Sequence, residues 1–277
     1  MAVRVLDSEE VSRFHRDGFL EIRDITTAEE VSRLRVLYDS LFTKKAGWEK
    51  GDLFDFAGLD DAESPAKTLQ LIEPSTYEPA LRATVFRTNA QAIARQLLGP
   101  SAEVVFEHAM LKPANTDGET PWHQDEAFYP RFTNYRSITC WMPLQPVDVV
   151  NGSLDFIPGS NDGPLLTHRS INNDPRIHGL EAPEANAERK ISCPLPEGAA
   201  TVHGYRTLHH AGPNRSDGPR RAYALGFGVR SKEYMIRTEF PWNLEKATAR
   251  AMRADAARGP LQRYVHQLKQ SVKALIS

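Results

Sequence analysis

Arg220-Arg221-Ala222-Tyr223-Ala224-Leu225-Gly226-Phe227-Gly228 alternates strictly: Arg220, Ala222, Ala224, Gly226 and Gly228 share one parity, and Arg221, Tyr223, Leu225 and Phe227 the other. A period of two is that of a β-strand, whose successive side chains point to opposite faces. The small residues leave room beside Arg220 for a ligand. Working outward, Val104-Val105-Phe106 and Ile138-Thr139-Cys140-Trp141-Met142 are further β-prone runs, and from Glu103 onward such runs are separated by Pro, Gly and Asn.

Residues 1–100 read differently. Asp7 with Glu10, and Thr27 with Glu30, each fit a helix cap followed by an acid three positions later. Val11 and Phe14 lead to a stop at Gly18; Val31, Leu34, Leu37, Tyr38 and Leu41 mark a second helix, and Ala90, Ile93 and Leu97 a third that runs to Gly99-Pro100. Between the first two, Phe19-Leu20-Glu21-Ile22 reads as a strand. The tail residues Leu261, Tyr264, Val265, Leu268, Val272 and Leu275 form a helical stripe suited to core packing.

Short strands after a helical start predict a mainly β fold with flanking helices (α+β). The expected core is a double-stranded β-helix, a cupin-like jelly roll, with N-terminal and C-terminal helices packed on one face. All 277 residues are read as one domain, with a mainly helical part at 1–100, the jelly roll at 101–232 and a helical tail at 233–277. Residues 48–68 and 161–190 look irregular and are expected to border the substrate.

A formal net charge of −2 with interspersed signs lacks the basic footprint of a nucleic-acid binder. No run approaches the ~20 apolar residues of a membrane span, and the first residues carry no apolar export core. Two cysteines, Cys140 and Cys193, are expected to be reduced thiols in a cytoplasmic protein. The N-x-S matches at Asn151 and Asn214 are then chance. Nothing in the sequence marks an assembly interface, so the oligomeric state stays open.

Pro121-Trp122-His123-Gln124-Asp125-Glu126 carries the chemistry. On an extended strand, His123 and Asp125 share a face and offer an imidazole and a carboxylate to one ion. A second histidine from elsewhere would complete two histidines and one carboxylate, the facial ligand set of non-haem Fe(II) oxygenases. Zinc hydrolases use similar ligands, but the helical H-E-x-x-H signature is missing and no obvious general acid or base accompanies the motif. Downstream, His209 and His210 compete for the remaining position, and strand parity lets only one of them reach it.

Four landmarks in order give this chain its resemblance. They are Phe14-His15-Arg16-Asp17-Gly18-Phe19; His123-Gln124-Asp125; Asn151-Gly152-Ser153-Leu154-Asp155-Phe156-Ile157-Pro158-Gly159-Ser160-Asn161; and the run from Gly198 through His209 to Gly212-Pro213-Asn214-Arg215-Ser216 and Arg220. Together they resemble the phytanoyl-CoA dioxygenase family of Fe(II)/2-oxoglutarate oxygenases, with Asn161 standing where that family usually has histidine. The resemblance implies Fe(II), 2-oxoglutarate and O2, with succinate and CO2 as products and hydroxylation of a C–H bond of a small or medium organic metabolite. Desaturation, epoxidation and rearrangement use the same cofactors. A non-catalytic module that only binds metal and 2-oxoglutarate is the alternative from another class.

Family spacing selects His209, five residues before Asn214, as the distal ligand beside His123 and Asp125, and Arg220, six beyond Asn214, as the cation for the distal carboxylate of 2-oxoglutarate. Arginine's planar fork suits that carboxylate and keeps its charge. Gln124, Thr207, Met110 and Lys112 are further cosubstrate candidates, although the spacing from Lys112 to His123 departs from the family pattern. His203 shares parity with His209 and is expected to be a buried polar residue. Phe128, Tyr129, Arg131, Phe132, Asn134 and Trp141 are candidate substrate-pocket residues, aromatic walls with polar anchors. Asp125 separates the chain from related iron halogenases, which have Gly or Ala at the acid position.

Overall fold

The computed structural model describes residues 3–61, 64–131, 136–229 and 239–259. Asp7 begins helix α1 (Ser8–Asp17) with a full capping box: its carboxylate accepts from the Glu10 N–H, and the Glu10 carboxylate accepts from the Asp7 N–H. Gly18, at φ +83°, ends the helix in the left-handed region and releases the chain into strand β1 (Phe19–Ile22). Thr27 caps α2 (Ala28–Thr43) by accepting from the Glu30 N–H. Glu30 does not return that bond. Its buried carboxylate accepts instead from the N–H groups of Val85 and Phe86, at 2.9 Å each, in the first turn of α3 (Val85–Leu98).

Two strands also lie before residue 100, β2 (Leu53–Asp55) and β3 (Leu69–Ile72). They are followed by β4 (Glu103–Lys112), β5 (Thr120–His123), β6 (Ser137–Pro143), β7 (Leu154–Phe156), β8 (Arg169–Ser170), β9 (Leu180–Glu181), β10 (Ile191–Cys193), β11 (Ala200–Gly204), β12 (His209–Ala211) and β13 (Arg220–Gly228). A seven-stranded sheet runs β1-β11-β6-β13-β4-β3-β2, a four-stranded sheet runs β10-β7-β12-β5, and β8-β9 form a separate pair. Every pairing is antiparallel. The result is the expected jelly roll, enlarged by β1–β3 from the stretch read as mainly helical.

The large sheet is covered on both faces. Ile138, Cys140, Met142, Tyr223, Leu225 and Phe227 pack with α1–α3 in one core, while Phe19, Trp141, Ala222 and Ala224 meet Leu154, Phe156 and Cys193 of the small sheet in another. β6 is therefore buried at every position, as expected for a central strand with a layer on each side. Both cysteines are free and buried.

The C-terminal elements α4 (Pro241–Leu244) and α5 (Ala249–Ala256) dock on loop and turn segments. Trp242 Nε1 and Asn243 Nδ2 both donate to the Ala127 carbonyl, and Arg253 donates to the carbonyls of Trp48 and Leu53. Their arginines and amides fit carbonyls at loop ends better than an apolar sheet face. The stripe from Leu261 to Leu275 lies outside the described residues. Among those residues, no helix is long and apolar enough to cross a membrane.

Candidate active site

β5 and β12 are antiparallel neighbours whose register sets His123 opposite His209, with ring centroids 4.1 Å apart. β5 ends at His123, and Asp125 opens a 3-10 turn (Asp125–Phe128), so the single strand expected across the triplet stops after its first ligand. Gln124 nevertheless stays extended (φ −121°, ψ 131°), which returns Asp125 to the face of His123.

One ligand atom from each of His123, Asp125 and His209 lies within 4.8 Å of the others. Asp125 Oδ1 is 3.9 Å from His123 Nε2 and 3.6 Å from His209 Nε2. Those gaps are long for hydrogen bonds and suit atoms that each sit about 2 Å from one shared ion. The Nδ1 atoms of His123 and His209 lie 2.8 Å and 2.9 Å from the carbonyls of Pro121 and Thr207. A carbonyl only accepts, so each Nδ1 carries the proton and each Nε2 turns its lone pair inward. Thr139 donates to Asp125 Oδ2 at 2.7 Å and fixes the carboxylate.

Electrostatics complete the ligand set. Burial opposes the charge on Asp125, but His203, His209 and His123 outweigh it and hold the carboxyl below its usual range. Burial pushes the imidazoles of His123 and His209 down, His209 well below the ordinary value. One ionised carboxylate and two neutral imidazoles are the protonation states that metal ligation requires. His203 sits beside them, its ring 4.4 Å from that of His209 and its Nε2 3.6 Å from Asp125 Oδ2, and neither ring nitrogen makes a hydrogen bond. His210 points the other way, between Asp155 and Glu119, and stacks on Trp122.

A cavity of about 490 Å³ opens beside the triad. Arg220 reaches into it at 2 % exposure, and its Nε and Nη1 have no hydrogen-bond partner. Its guanidinium lies 5.5 Å from the Trp141 ring centroid, and burial pushes its pKa down to about 10. A buried, unpaired cation is costly by several kcal/mol until an anion meets it. Arg221 instead pairs with Asp39 on the outer face of the sheet, at 2.6 Å.

The other candidate residues divide. Met110, Phe128, Tyr129 and Trp141 line the cavity. Gln124 does not: its amide donates to the carbonyls of Pro164 and Arg206 and accepts from Leu166 N–H. Thr207 donates to the Gly18 carbonyl while its own carbonyl orients His209. Lys112 donates to the carbonyls of Ala211 and Gly212, bracing the end of β12. Arg131 is exposed, 6.0 Å from the Phe240 ring centroid. Phe132 and Asn134 lie outside the described residues. Asn214 is wholly buried, donating to the carbonyls of Lys112, Pro113 and Gly218, which is incompatible with glycosylation of the folded chain.

Sequence reasoning missed several lining residues. Phe106 and His108 share the parity of Met110 on β4, a signal that was available. The ring of Phe106 fills the space above Gly226, where a Cβ would collide with it. Phe56 and His178 come from the two irregular segments expected to border the substrate, and Lys246 and Arg250 from the C-terminal segment.

The sequence profile of the phytanoyl-CoA dioxygenase (PhyH) family matches residues 14–222, from α1 into β13. The chain belongs to the phytanoyl-CoA dioxygenase family. This places it among the iron- and 2-oxoglutarate-dependent oxygenases, as an oxidoreductase of the dioxygenase type. EvdO2 from Micromonospora carbonacea var. aurantiaca, solved in complex with 2-oxoglutarate, is 32% identical with a TM-score of 0.73, covering 87% of this chain and 98% of that one. The probable alpha-ketoglutarate-dependent hypophosphite dioxygenase of Stutzerimonas stutzeri is 26% identical over 230 residues, 80% of this chain and 78% of that protein. EctD from S. alaskensis, solved with bound Fe, shares the fold at a TM-score of 0.66 and 19% identity, over 86% of this chain and 82% of that one.

Proposed function

We propose that this PhyH-family protein hydroxylates a C–H bond of a small or medium organic metabolite, consuming 2-oxoglutarate and O2 and releasing succinate and CO2. His123 Nε2, Asp125 Oδ1 and His209 Nε2 would hold Fe(II), and Arg220 would receive the distal carboxylate of 2-oxoglutarate. The observation that carries this reading is the unpaired, buried guanidinium of Arg220 in the same cavity as the three inward-facing ligand atoms. When bound, iron and the keto acid supply the O2 activation and the oxidising power.

The chain's own residues bind, orient and exclude water. Pro121 and Thr207 carbonyls hold the imidazole tautomers, Thr139 holds the carboxylate, and the aromatic lining from Phe128 and Trp141 shields the reacting region. The carboxylate at position 125 supports oxygen transfer over halogenation, because it fills the position a halide would need. Two free, buried thiols accord with the cytoplasmic location proposed for the chain.

The test is to incubate the protein with Fe(II), 2-oxoglutarate, heavy-isotope dioxygen and a panel of candidate metabolites, following succinate and product masses. Hydroxylation predicts succinate release coupled to a product that gains one labelled oxygen atom. A coupled product lighter by two hydrogens, or one rearranged at unchanged mass, would replace hydroxylation by another outcome.

A further inference from the structure

The cavity carries more positive charge than the metal and cosubstrate account for. Among its described lining residues Asp125 is the sole carboxylate, whereas three are cations: Arg220, Lys246 and Arg250. Asp125 is committed to the three histidines around it, and Arg220 is assigned above to 2-oxoglutarate. Lys246 and Arg250 remain.

Neither has a carboxylate at ion-pair distance among the described residues. Lys246 Nζ rests 4.9 Å from the centroid of the Phe128 ring and makes no hydrogen bond there. Arg250 lies 4.0 Å from the Phe54 ring centroid, donates through Nε to the Gly51 carbonyl, and approaches His178 Nε2 at 3.5 Å. Of the acids near Arg250, Asp60 pairs with Arg253 and Asp52 accepts from Tyr77. Burial, followed by the Arg250 charge, pushes the Lys246 ammonium down to about 7, against the opposing pull of the Glu239 carboxylate. This is the environment of a cation taken out of water with its counter-charge beyond ion-pair distance.

Position makes the pair useful. Phe128 also stands edge-on to the metal-side ring of His123, 6.1 Å between centroids, so one aromatic ring separates Lys246 from the triad. Flat rings line the same cavity, with Phe128 stacked on His178 and Phe106 stacked on His108. We propose that the primary substrate is a flat or apolar molecule bearing an anionic group, a carboxylate or phosphate, which Lys246 and Arg250 bind so that its body lies along these rings toward the metal. The proposal rests on the oxygenase reading of the site and names the substrate chemistry that site would take.

The test loads the protein anaerobically with Fe(II) and 2-oxoglutarate, so that Arg220 is occupied. Binding of 2-naphthoate against 2-naphthamide, and of 2-naphthyl phosphate against 2-naphthol, is then measured by the probe's fluorescence. The expected result is at least tenfold tighter binding of one anion than of its neutral counterpart, a preference abolished in Lys246→Gln and kept in Lys246→Arg, with 2-oxoglutarate affinity unchanged in both. Which anion wins separates carboxylate from phosphate. Equal affinity for anion and neutral probe in both pairs, including binding of neither, would overturn the proposal, as would an anion preference that survives Lys246→Gln. Loss of anion binding in Lys246→Arg as well as Lys246→Gln would overturn it too, since position and not charge would then govern. Failure of the wild type to take up iron and 2-oxoglutarate would instead strike the underlying oxygenase reading.

Discussion

His209 and His210 are neighbours in sequence with opposite surroundings, and their substitution separates ligand from bystander. His209→Ala is expected to abolish stoichiometric Fe(II) binding by equilibrium dialysis, because it removes one of three inward lone pairs. His210→Ala should leave stoichiometry intact, since that ring bonds to Asp155 and Glu119; the reverse pattern would shift the ligand by one position. Arg220→Ala should raise the Michaelis constant for 2-oxoglutarate roughly ten- to hundredfold, the value of a hydrogen bond to a charged group. Unchanged affinity would remove Arg220 from the cosubstrate site. At this scale parity made much of the arrangement legible: period two on β13 separated Arg220 from Arg221, and the H-x-D spacing placed Asp125 with His123. Parity could not show that Gln124, Thr207 and Lys112 would be consumed by backbone carbonyls, because those partners come from remote loops and strands.

The capping residues announced α1 and α2 in the sequence, yet the carboxylate at Thr27+3 does more than the local pattern implies. Glu30 ties α2 to the first turn of α3, so Glu30→Ala should leave two N–H groups unmet and cost about 2–3 kcal/mol. That corresponds to a fall in Tm of roughly 3–5 °C by differential scanning calorimetry. A change within error would mean the α3 terminus finds other acceptors. β2 and β3 were hidden for a different reason. At three residues β2 is too short to display alternation, and the segment between β2 and β3 is organised by Asp55, whose carboxylate accepts from the N–H groups of Ala57, Gly58, Lys67 and Thr68. The contribution of Lys246 and Arg250 was equally illegible, since the docking of α4 on Ala127 and of α5 on Gly51, Trp48 and Leu53 brings that segment to the cavity.

Across the molecule, the antiparallel jelly roll could be read from the texture of short β-prone runs, while the assignment of each face required the two cores to be seen. The fold also buries imidazoles outside the triad, and this shapes stability. Burial pushes His108 and His168 down to about 4 from an ordinary 6.5. In the unfolded chain these rings take up protons near 6.5, and in the native state only near 4, so unfolding gains protons across that window. Stability should therefore be full above pH 6.5 and fall as pH drops toward 4; a Tm that stays level over this range would contradict the burial of these rings. The central claim is that three side chains and one arginine assemble a site for iron and 2-oxoglutarate. Its most direct test is anaerobic titration of Fe(II) and 2-oxoglutarate into the protein, read by the visible charge-transfer absorption of a chelated keto acid. The account predicts a band saturating at one iron per chain, absent in His209→Ala and requiring more 2-oxoglutarate in Arg220→Ala. Iron-loaded wild-type protein without the band, or an undiminished band in His209→Ala, would contradict it.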